Sequence, residues 1–319
     1  MTSLLPEVMG LHCLADQLRA RPWEAQAAAD VEAAMVSPHS VRASCQPVTA
    51  GALRVVRPFD FEVAASSELH TLRLLLAAAA ADVGWQLSVA QSAAGGRILD
   101  SVDVSVTAGG ALSLRLAGTG EVLSRPSDPL GTVLATLVGA SPLQVSVADS
   151  NGRSIRVPAS AQPGRGWLPE LPLATGSAWF DALNDAWILG ETGLLIDRPK
   201  QLAGRDRGPD APEVALAAVA ADLMSSLAAG PTATARVYAS GRYDLRPLVG
   251  LAGAQARGLR DIRLIVLLQD RSVDLAEVAE YTEGWLSSSL LTRLLTSAAA
   301  DMTSVSDQPT SAQKEGLGP

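Results

Sequence analysis

The residues best suited to chemistry are two short polar groups, each of which follows a strand-like segment near the C-terminus. Arg242, Tyr243 and Asp244 follow one such segment, and Asp270 and Arg271 follow the next. Parallel strands in an open sheet present their carboxyl ends at one edge, where ligands bind. Arginine holds carboxylates and phosphates through paired hydrogen bonds. The pattern therefore predicts a site for an anionic small molecule, with ordinary polar loops as the plain alternative.

Other catalytic or metal-binding patterns are missing from the sequence. The three histidines, His12, His39 and His70, are widely spaced, and a hydrogen-bonded role is the plain reading of His70. Cys13 and Cys45 lack metal-ligand spacing, so we expect two reduced thiols in a cytoplasmic protein. There is neither a Gly-Lys-Ser/Thr phosphate loop nor a Gly-x-Ser-x-Gly elbow. We therefore predict no cofactor, no metal and no catalytic residue, and we favour a protein that is not an enzyme.

One acidic pair could hold a cation. Asp60 and Glu62 are two residues apart on an extended segment, which places both side chains on one face of a strand. A solvated strand edge is the simpler interpretation, because isolated acidic pairs are common on protein surfaces.

The composition indicates a folded, acidic protein. The chain has 319 residues, of which 48% are hydrophobic and 18% charged, with a net charge of −8. That much apolar surface can offset the entropy of ordering the chain, so extensive disorder is excluded. The negative charge argues against a nucleic-acid partner. We also expect neither a signal peptide nor membrane insertion.

The middle of the chain alternates between helical and strand-like patterns. Between residues 66 and 189 the predicted order is α-β-β-β-α-β-β-α. It includes a helix ending near Gly84, strands such as Trp85–Val89 and Val102–Val106, a helix over 128–138, an Asn-Gly hairpin turn at Ser150–Gly152 and a last helix near Trp179–Leu189. This order resembles the topology of type III secretion chaperones and related small partner-binding α+β domains. The resemblance covers the order of elements alone, and it implies a partner-binding protein.

The C-terminal part is predicted to contain a β-α-β unit. Capping residues at Asp210 and Asp274 mark helix starts, and the apolar run Ile262–Leu268 suits a strand buried on both faces of a parallel sheet. The whole chain is thus predicted to be α+β, with an antiparallel central domain and an α/β C-terminal part. The predicted segments are a helical N-terminal segment (1–50), a central domain (51–197), a linker (198–210), the C-terminal part (211–302) and a disordered tail (303–319). Within the first segment, the Ala/Glu/Gln-rich stretch Trp23–Met35 is the clearest predicted helix.

Tryptophans and arginines supply the candidate interface residues. They are Trp167, Trp179, Trp187, Arg257, Arg260 and Arg263. Trp179 and Trp187 are about two helical turns apart, so both could share one helix face and seal the seam between the two halves or anchor a partner. The favoured function is a non-enzymatic protein-binding adaptor, chaperone or assembly component of a bacterial system. The alternative is an enzyme or binding protein for an anionic small molecule at Arg242, Tyr243, Asp244, Asp270 and Arg271.

Overall fold

The computed structural model describes residues 26–50, 59–93, 99–106, 112–118, 121–125, 143–158, 172–181, 186–190, 193–198, 204–244 and 259–295. The strands in these ranges are β1 (Gln26–Ser37), β2 (Ser40–Ala50), β3 (Phe59–Ala64), β4 (Leu99–Val106), β5 (Leu112–Gly118), β6 (Glu121–Arg125), β7 (Gln144–Asp149), β8 (Ser154–Val157), β9 (Ala174–Asp181), β10 (Ala186–Leu189), β11 (Leu194–Ile196), β12 (Ala235–Asp244) and β13 (Arg260–Leu268). The helices are α1 (Glu68–Ala93), α2 (Ala211–Ala229), α3 (Leu275–Ser288) and a further helical segment over 290–295. This mixed content confirms the expected α+β class in its broad form.

The strands form two sheets. The first sheet has the order β3-β2-β1-β12-β13-β7-β8, in which only the β13–β7 pair is parallel. The second has the order β11-β10-β9-β4-β5-β6 and is antiparallel throughout. The first sheet combines strands from the predicted N-terminal, central and C-terminal segments, while the predicted domain boundaries themselves stay predictions.

The long helices lie between the two sheets. Helix α2 packs on β1, β2 and β12 of the first sheet, and α1 packs on β4, β9 and β10 of the second. The two helices contact each other, and α3 packs against β7, β8 and α2. Because α2 has neighbours on all sides, its composition is apolar all round. Among the described residues it is the one helix long and apolar enough to span a membrane, and 83% of its most apolar window is buried inside the fold.

The N-terminal segment differs from its prediction. Residues 1–25 lie outside the described residues. From Gln26 onward the helix predicted near residues 23–35 is wrong, because these residues form β1. Ala29, Val31 and Ala33 are buried, whereas Asp30 is exposed. This period of two suits a sheet with one covered face, so tertiary packing overrides the helix propensity of alanine and glutamate.

Helix α1 is longer than predicted, and the strand predicted at Trp85–Val89 is wrong. Gly84 lies inside the helix, where a Cβ atom would come within 2.6 Å of the Trp187 ring. The glycine therefore permits a close approach between helix and sheet instead of ending the helix. A helix buried between two sheets has no polar stripe, which is why its apolar pattern was ambiguous.

The helix predicted near Trp179–Leu189 is also wrong. This stretch forms the antiparallel strands β9 and β10, in which Trp187 pairs with Phe180 and Ile188 pairs with Trp179. Alternate residues of β9 are buried, Ala174, Gly176 and Ala178 among them. The predicted helix at 128–138 lies outside the described residues.

The predicted parallel β-α-β unit is wrong, because β12 and β13 are antiparallel neighbours. The apolar run of β13 is buried on one face only. Ile262, Leu264 and Val266 point inward, whereas Arg263 and Ile265 are exposed. Ile265, an aliphatic residue on the exposed face, therefore gave β13 the continuous apolar pattern that is typical of a strand buried on both faces.

Predictions that rest on a few neighbouring residues agree with the structure, whereas several predictions of whole helices and strands do not. The carboxylate of Asp210 accepts a hydrogen bond from the Glu213 backbone nitrogen at 3.2 Å, and Glu213 accepts one from the Asp210 backbone nitrogen at 2.6 Å. This confirms the predicted capping box of α2. Asp274 caps α3, and the Asn-Gly hairpin joins β7 to β8 with Gly152 at φ +83°. Asp60 and Glu62 share the exposed face of β3, as predicted.

Gly176 brings α1 and β9 into close contact. A Cβ atom at this position would collide with the backbone at Ala77 and Leu76, which cannot move without displacing α1. Helix and strand are therefore in direct backbone contact, a spacing that only glycine allows.

Replacing Gly176 with alanine should destabilise the protein by about 1–3 kcal/mol, because α1 and β9 must separate to admit the methyl group. Equilibrium urea unfolding measures the change. The matched control is Gly284→Ala, since Gly284 lies inside α3 with open space where a Cβ would be placed. That control should stabilise the protein by about 0.5–1 kcal/mol. Equal effects of the two substitutions would contradict the proposed close contact.

Candidate functional site

The structure does not bring together the residues of the predicted anion site. Arg242 lies opposite Arg260, whereas Ala235, at the start of β12, lies opposite Leu268 near the end of β13. The polar groups that follow β12 and β13 are thus at opposite ends of the sheet. Arg242 and Ala235 are seven residues apart on β12, so Arg242 lies about 24 Å along the strands from Leu268.

Several of these residues have local roles instead. Tyr243 is buried, and its hydroxyl donates a 3.0 Å hydrogen bond to the Asp210 carboxylate at the start of α2. Asp270 accepts hydrogen bonds from the backbone nitrogen and hydroxyl of Ser272, at 2.8 and 2.7 Å, and these bonds lower its pKa. Arg242 and Arg271 are exposed, and Asp244 is the last residue of β12. Tyr243 therefore positions α2, and Asp270 shapes a turn.

The candidate tryptophans divide between surface and core. Trp167 lies outside the described residues. Trp187 is 3% exposed, and its ring lies 5.3 Å from that of Phe180 on the inner face of the second sheet. Trp179 lies on the opposite face and is 45% exposed. The two tryptophans therefore do not share a face, and only Trp179 is available to a partner.

The candidate arginines lie on or near the first sheet. Arg263 is exposed on its outer face, where it is level with Ser240 and Gln144. Arg260 begins β13 and is half-buried, and Arg257 lies outside the described residues. Of Arg260 and Arg263, Arg263 is the better placed for an intermolecular contact.

A row of apolar side chains crosses the outer face of the second sheet. The register places Trp179, Ile188 and Leu195 side by side on β9, β10 and β11. Ile188 and Leu195 are half-buried. Leu173, just before β9, is 69% exposed and lies about 20 Å along the strand from Trp179, where it lines the same groove. We call the row of Trp179, Ile188 and Leu195 the Trp179 surface. Apolar residues gathered in one exposed patch indicate an interaction site more strongly than scattered ones.

The Trp179 surface borders a groove of about 490 Å³ between the two sheets. Val63 of β3 lines one side, and Ala174 and Leu189 line the other. The rim carries charged and polar side chains, which are Glu62, His70 and Arg73. The ring nitrogen Nδ1 of His70 is hydrogen-bonded to the Ser66 hydroxyl at 2.5 Å, so His70 has the hydrogen-bonded role expected of it.

A second cleft, of about 900 Å³, reaches the buried carboxyl group of Asp222 on α2. Trp285 Nε1 and the Ser289 hydroxyl donate to its Oδ2 at 2.9 and 2.7 Å, and the Thr71 hydroxyl donates to its Oδ1 at 2.9 Å. Burial raises the pKa of Asp222, and the hydrogen bonds oppose this rise only in part. The sequence analysis missed this residue, although an acid inside an otherwise apolar helix is a recognisable signal.

A buried ion pair joins α1 to the segment after β11. The Arg198 guanidinium forms a salt bridge with Asp82, and both side chains are almost fully buried. The same guanidinium lies 3.9 Å from the centre of the Trp85 ring. Asp197 next to it accepts hydrogen bonds from the backbone nitrogens of Arg205 and Arg207. These contacts tie part of the predicted linker into the core.

Within the described residues, no group of three or more histidine, cysteine, aspartate or glutamate side chains is arranged to hold a metal ion. No protein-family model matches the chain, and neither a curated protein nor a solved structure matches it.

Proposed function

We propose that this protein is a protein-binding component, an adaptor, chaperone or assembly factor, and that it binds its partner at the Trp179 surface and the adjoining groove. The observation that carries the proposal is the row of Trp179, Ile188 and Leu195 on three neighbouring strands. Strands hold these side chains in fixed positions, so little entropy is lost when a partner covers them.

The chemistry of this surface fits recognition of an apolar segment. Tryptophan is enriched among the residues that dominate binding energy, and Trp179 has nearly half of its surface available. The groove can accept side chains of the partner, while Glu62 and Arg73 provide a polar rim that excludes water from the contact.

The alternative function, binding or turnover of an anionic small molecule, has less support. It needs Arg242 and Arg271 on one ligand, and the antiparallel pairing of β12 and β13 places them at opposite ends of the sheet. A single small anion does not span that separation.

Replacing Trp179 with alanine should weaken binding of the partner about 30-fold or more, the effect of losing a central anchor worth about 2 kcal/mol. The partner is first identified by placing a photoreactive benzoyl-phenylalanine at position 179 in cells of the source organism. The same group at Tyr281, an exposed residue on α3, is the control site. Titration calorimetry with the purified partner then gives the affinity.

Val36→Ala is the matched substitution, because Val36 is 51% exposed and lies on the first sheet. It should leave the affinity unchanged. Equal yields of partner crosslinked at positions 179 and 281 would contradict the proposed binding site. So would an affinity for the partner that Trp179→Ala does not alter.

A further inference from the structure

The outer face of the first sheet has transverse rows of side chains, because the register brings alternate residues of neighbouring strands level. One row contains Asp30, Ser240 and Arg263. The next row runs from β3 to β8 through Asp60, Ser44, Glu32, Tyr238, Ile265, Ser146 and Arg156. We call these side chains the outer sheet face.

Charge is divided between the two halves of the outer sheet face. In the two rows, acidic side chains lie on β1 and β3, whereas Arg263 lies on β13 and Arg156 on β8. Outside these rows, each half also has an exposed residue of the opposite sign, Arg42 on β2 and Asp261 on β13. Among the described residues, Asp30, Arg263 and Arg156 form no ion pair. Asp60 contacts Arg42 at 3.5 Å, but both side chains are more than half exposed, so this pair is weak. Asp30 on one half of the outer sheet face and Arg263 and Arg156 on the other half therefore carry opposite charges that have no ion pair among the described residues.

Strand β12 divides these halves, because it is the fourth of the seven strands. At this centre Tyr238 on β12 and Ile265 beside it on β13 lie next to the Arg236–Glu32 ion pair, and the Tyr238 hydroxyl donates to Glu32 at 3.2 Å. Ile265 is 43% exposed, which is unusual for an isoleucine in the middle of a sheet. A centre of low net charge between a negative and a positive half fits a self-complementary interface.

A two-fold axis that runs along β12 makes the face complementary to itself. Rotation about this axis keeps each row level and places β1 over β13 of the other copy, and β3 over β8. Asp30 then faces the other copy's Arg263, and Asp60 faces its Arg156. The two Tyr238 side chains meet at the axis. Sheets that pack face to face with nearly aligned strands have the corresponding geometry.

The charges also select between the two face-to-face orientations. An axis perpendicular to the strands would place β1 over β1, so that acidic residues would face acidic residues. The axis along β12 places each outward residue of β12 over the same residue of the other copy. The Arg236 side chains, each paired with Glu32 at 2.7 Å within its own chain, meet there, and so do the exposed Arg242 side chains. The two Asp30–Arg263 and two Asp60–Arg156 pairs of the dimer outnumber these like-charge contacts, so the parallel axis is electrostatically favoured.

We infer that the outer sheet face docks a second copy of this chain, forming a two-fold dimer with Asp30–Arg263 and Asp60–Arg156 pairs around Tyr238 and Ile265. Seven strands span about 34 Å. The paired register covers seven residues between β12 and β13 but four between β7 and β8, which corresponds to about 24 and 14 Å. The face therefore offers roughly 500–800 Å² per copy, which reaches the lower end of the size typical of a specific interface. This dimer leaves the Trp179 surface, on the other sheet, free for the partner.

Sedimentation velocity of the full-length protein over a range of concentrations tests the dimer. The wild-type protein should sediment as a monomer–dimer equilibrium whose dissociation constant rises with salt, because the contacts are charged. Arg263→Asp and Asp30→Arg should each raise the dissociation constant about tenfold or more, since each places like charges together. The double variant D30R/R263D exchanges the charges and should restore dimerisation.

Glu280→Arg is the matched control, because Glu280 is an exposed acid on α3, away from this face. It should leave the dissociation constant unchanged, and thermal unfolding checks that every variant folds. A wild-type protein that stays monomeric at all soluble concentrations overturns the inference. So does a dimer that the two single reversals do not weaken, or one that the double exchange does not restore.

Discussion

Replacing Arg198 with methionine should destabilise the protein by about 3–5 kcal/mol, as expected when one partner of a buried ion pair is removed. The guanidinium of Arg198 is the cation of the buried Asp82 carboxylate, and it also covers the Trp85 ring. Without it, the Asp82 carboxylate loses this cation while it remains in a low-dielectric environment, where a charge is costly. Equilibrium urea unfolding measures the loss.

The double variant Asp82→Leu/Arg198→Met separates the energy of the pair from the cost of leaving one charge behind. It should recover most of the lost stability, because apolar side chains of similar volume can replace a buried ion pair. Arg153→Met is the control, since it removes an ion pair with Asp149 in which Arg153 is 70% exposed. That change should have little effect. If the double variant were as unstable as Arg198→Met, the buried charge of Asp82 would not be the cause.

Replacing Asp222 with leucine should cost about 2–6 kcal/mol of stability. Two buried donors, Trp285 Nε1 and the Ser289 hydroxyl, would lose their acceptor at once, and each unsatisfied buried group costs about 1–3 kcal/mol. The Thr71 hydroxyl would keep the Glu68 carbonyl oxygen at 3.0 Å as an acceptor. Through these contacts Asp222 connects α1 and α3 to α2. Asp222→Asn keeps the amide oxygen as an acceptor for Trp285 and Ser289 and should be much milder.

The comparison with Asp222→Asn also predicts a pH dependence. Burial raises the pKa of Asp222 in the folded protein above its ordinary value, so the folded state binds the proton more tightly than the unfolded state. The stability from this group is complete below the unfolded pKa and is lost as the pH rises through the folded pKa. The wild-type protein should therefore lose stability relative to Asp222→Asn as the pH rises from about 4.

Urea unfolding of both proteins at a series of pH values measures this difference, because the other titrating groups cancel between them. The expected result is a wild-type curve that falls relative to the variant and then runs parallel to it. Curves that stay parallel throughout would show that the pKa of Asp222 is not raised.

Predictions from short segments succeeded where the signal was local. The capping box at Asp210 and the Asn-Gly hairpin depend on a few neighbouring atoms, and both are present. The alternating strand at Val102–Val106 is also present as part of β4, since each of its residues meets the same environment along one face. Local geometry and a clear period of two are sufficient in such places.

The errors arose where burial differs from the usual pattern. Helix α1 is covered by a sheet and by α2, so it shows no amphipathic period, and part of it resembled a strand. In β1 the reverse occurred, because alanine and glutamate favour helices in isolation. The hairpin at Trp179–Leu189 was mistaken for a helix because Trp179 and Trp187 have helical spacing, although they lie on opposite faces.

By itself, the sequence determined the α+β class and the helix starts at Asp210 and Asp274. Only the tertiary structure decided that β12 and β13 are antiparallel, which separates Arg242 from Arg271 and brings Arg263 level with Asp30. It also decided that Asp82, Arg198 and Asp222 are buried. The physical reason is that strand pairing and burial depend on contacts between residues far apart in the chain, which local propensity and periodicity do not encode.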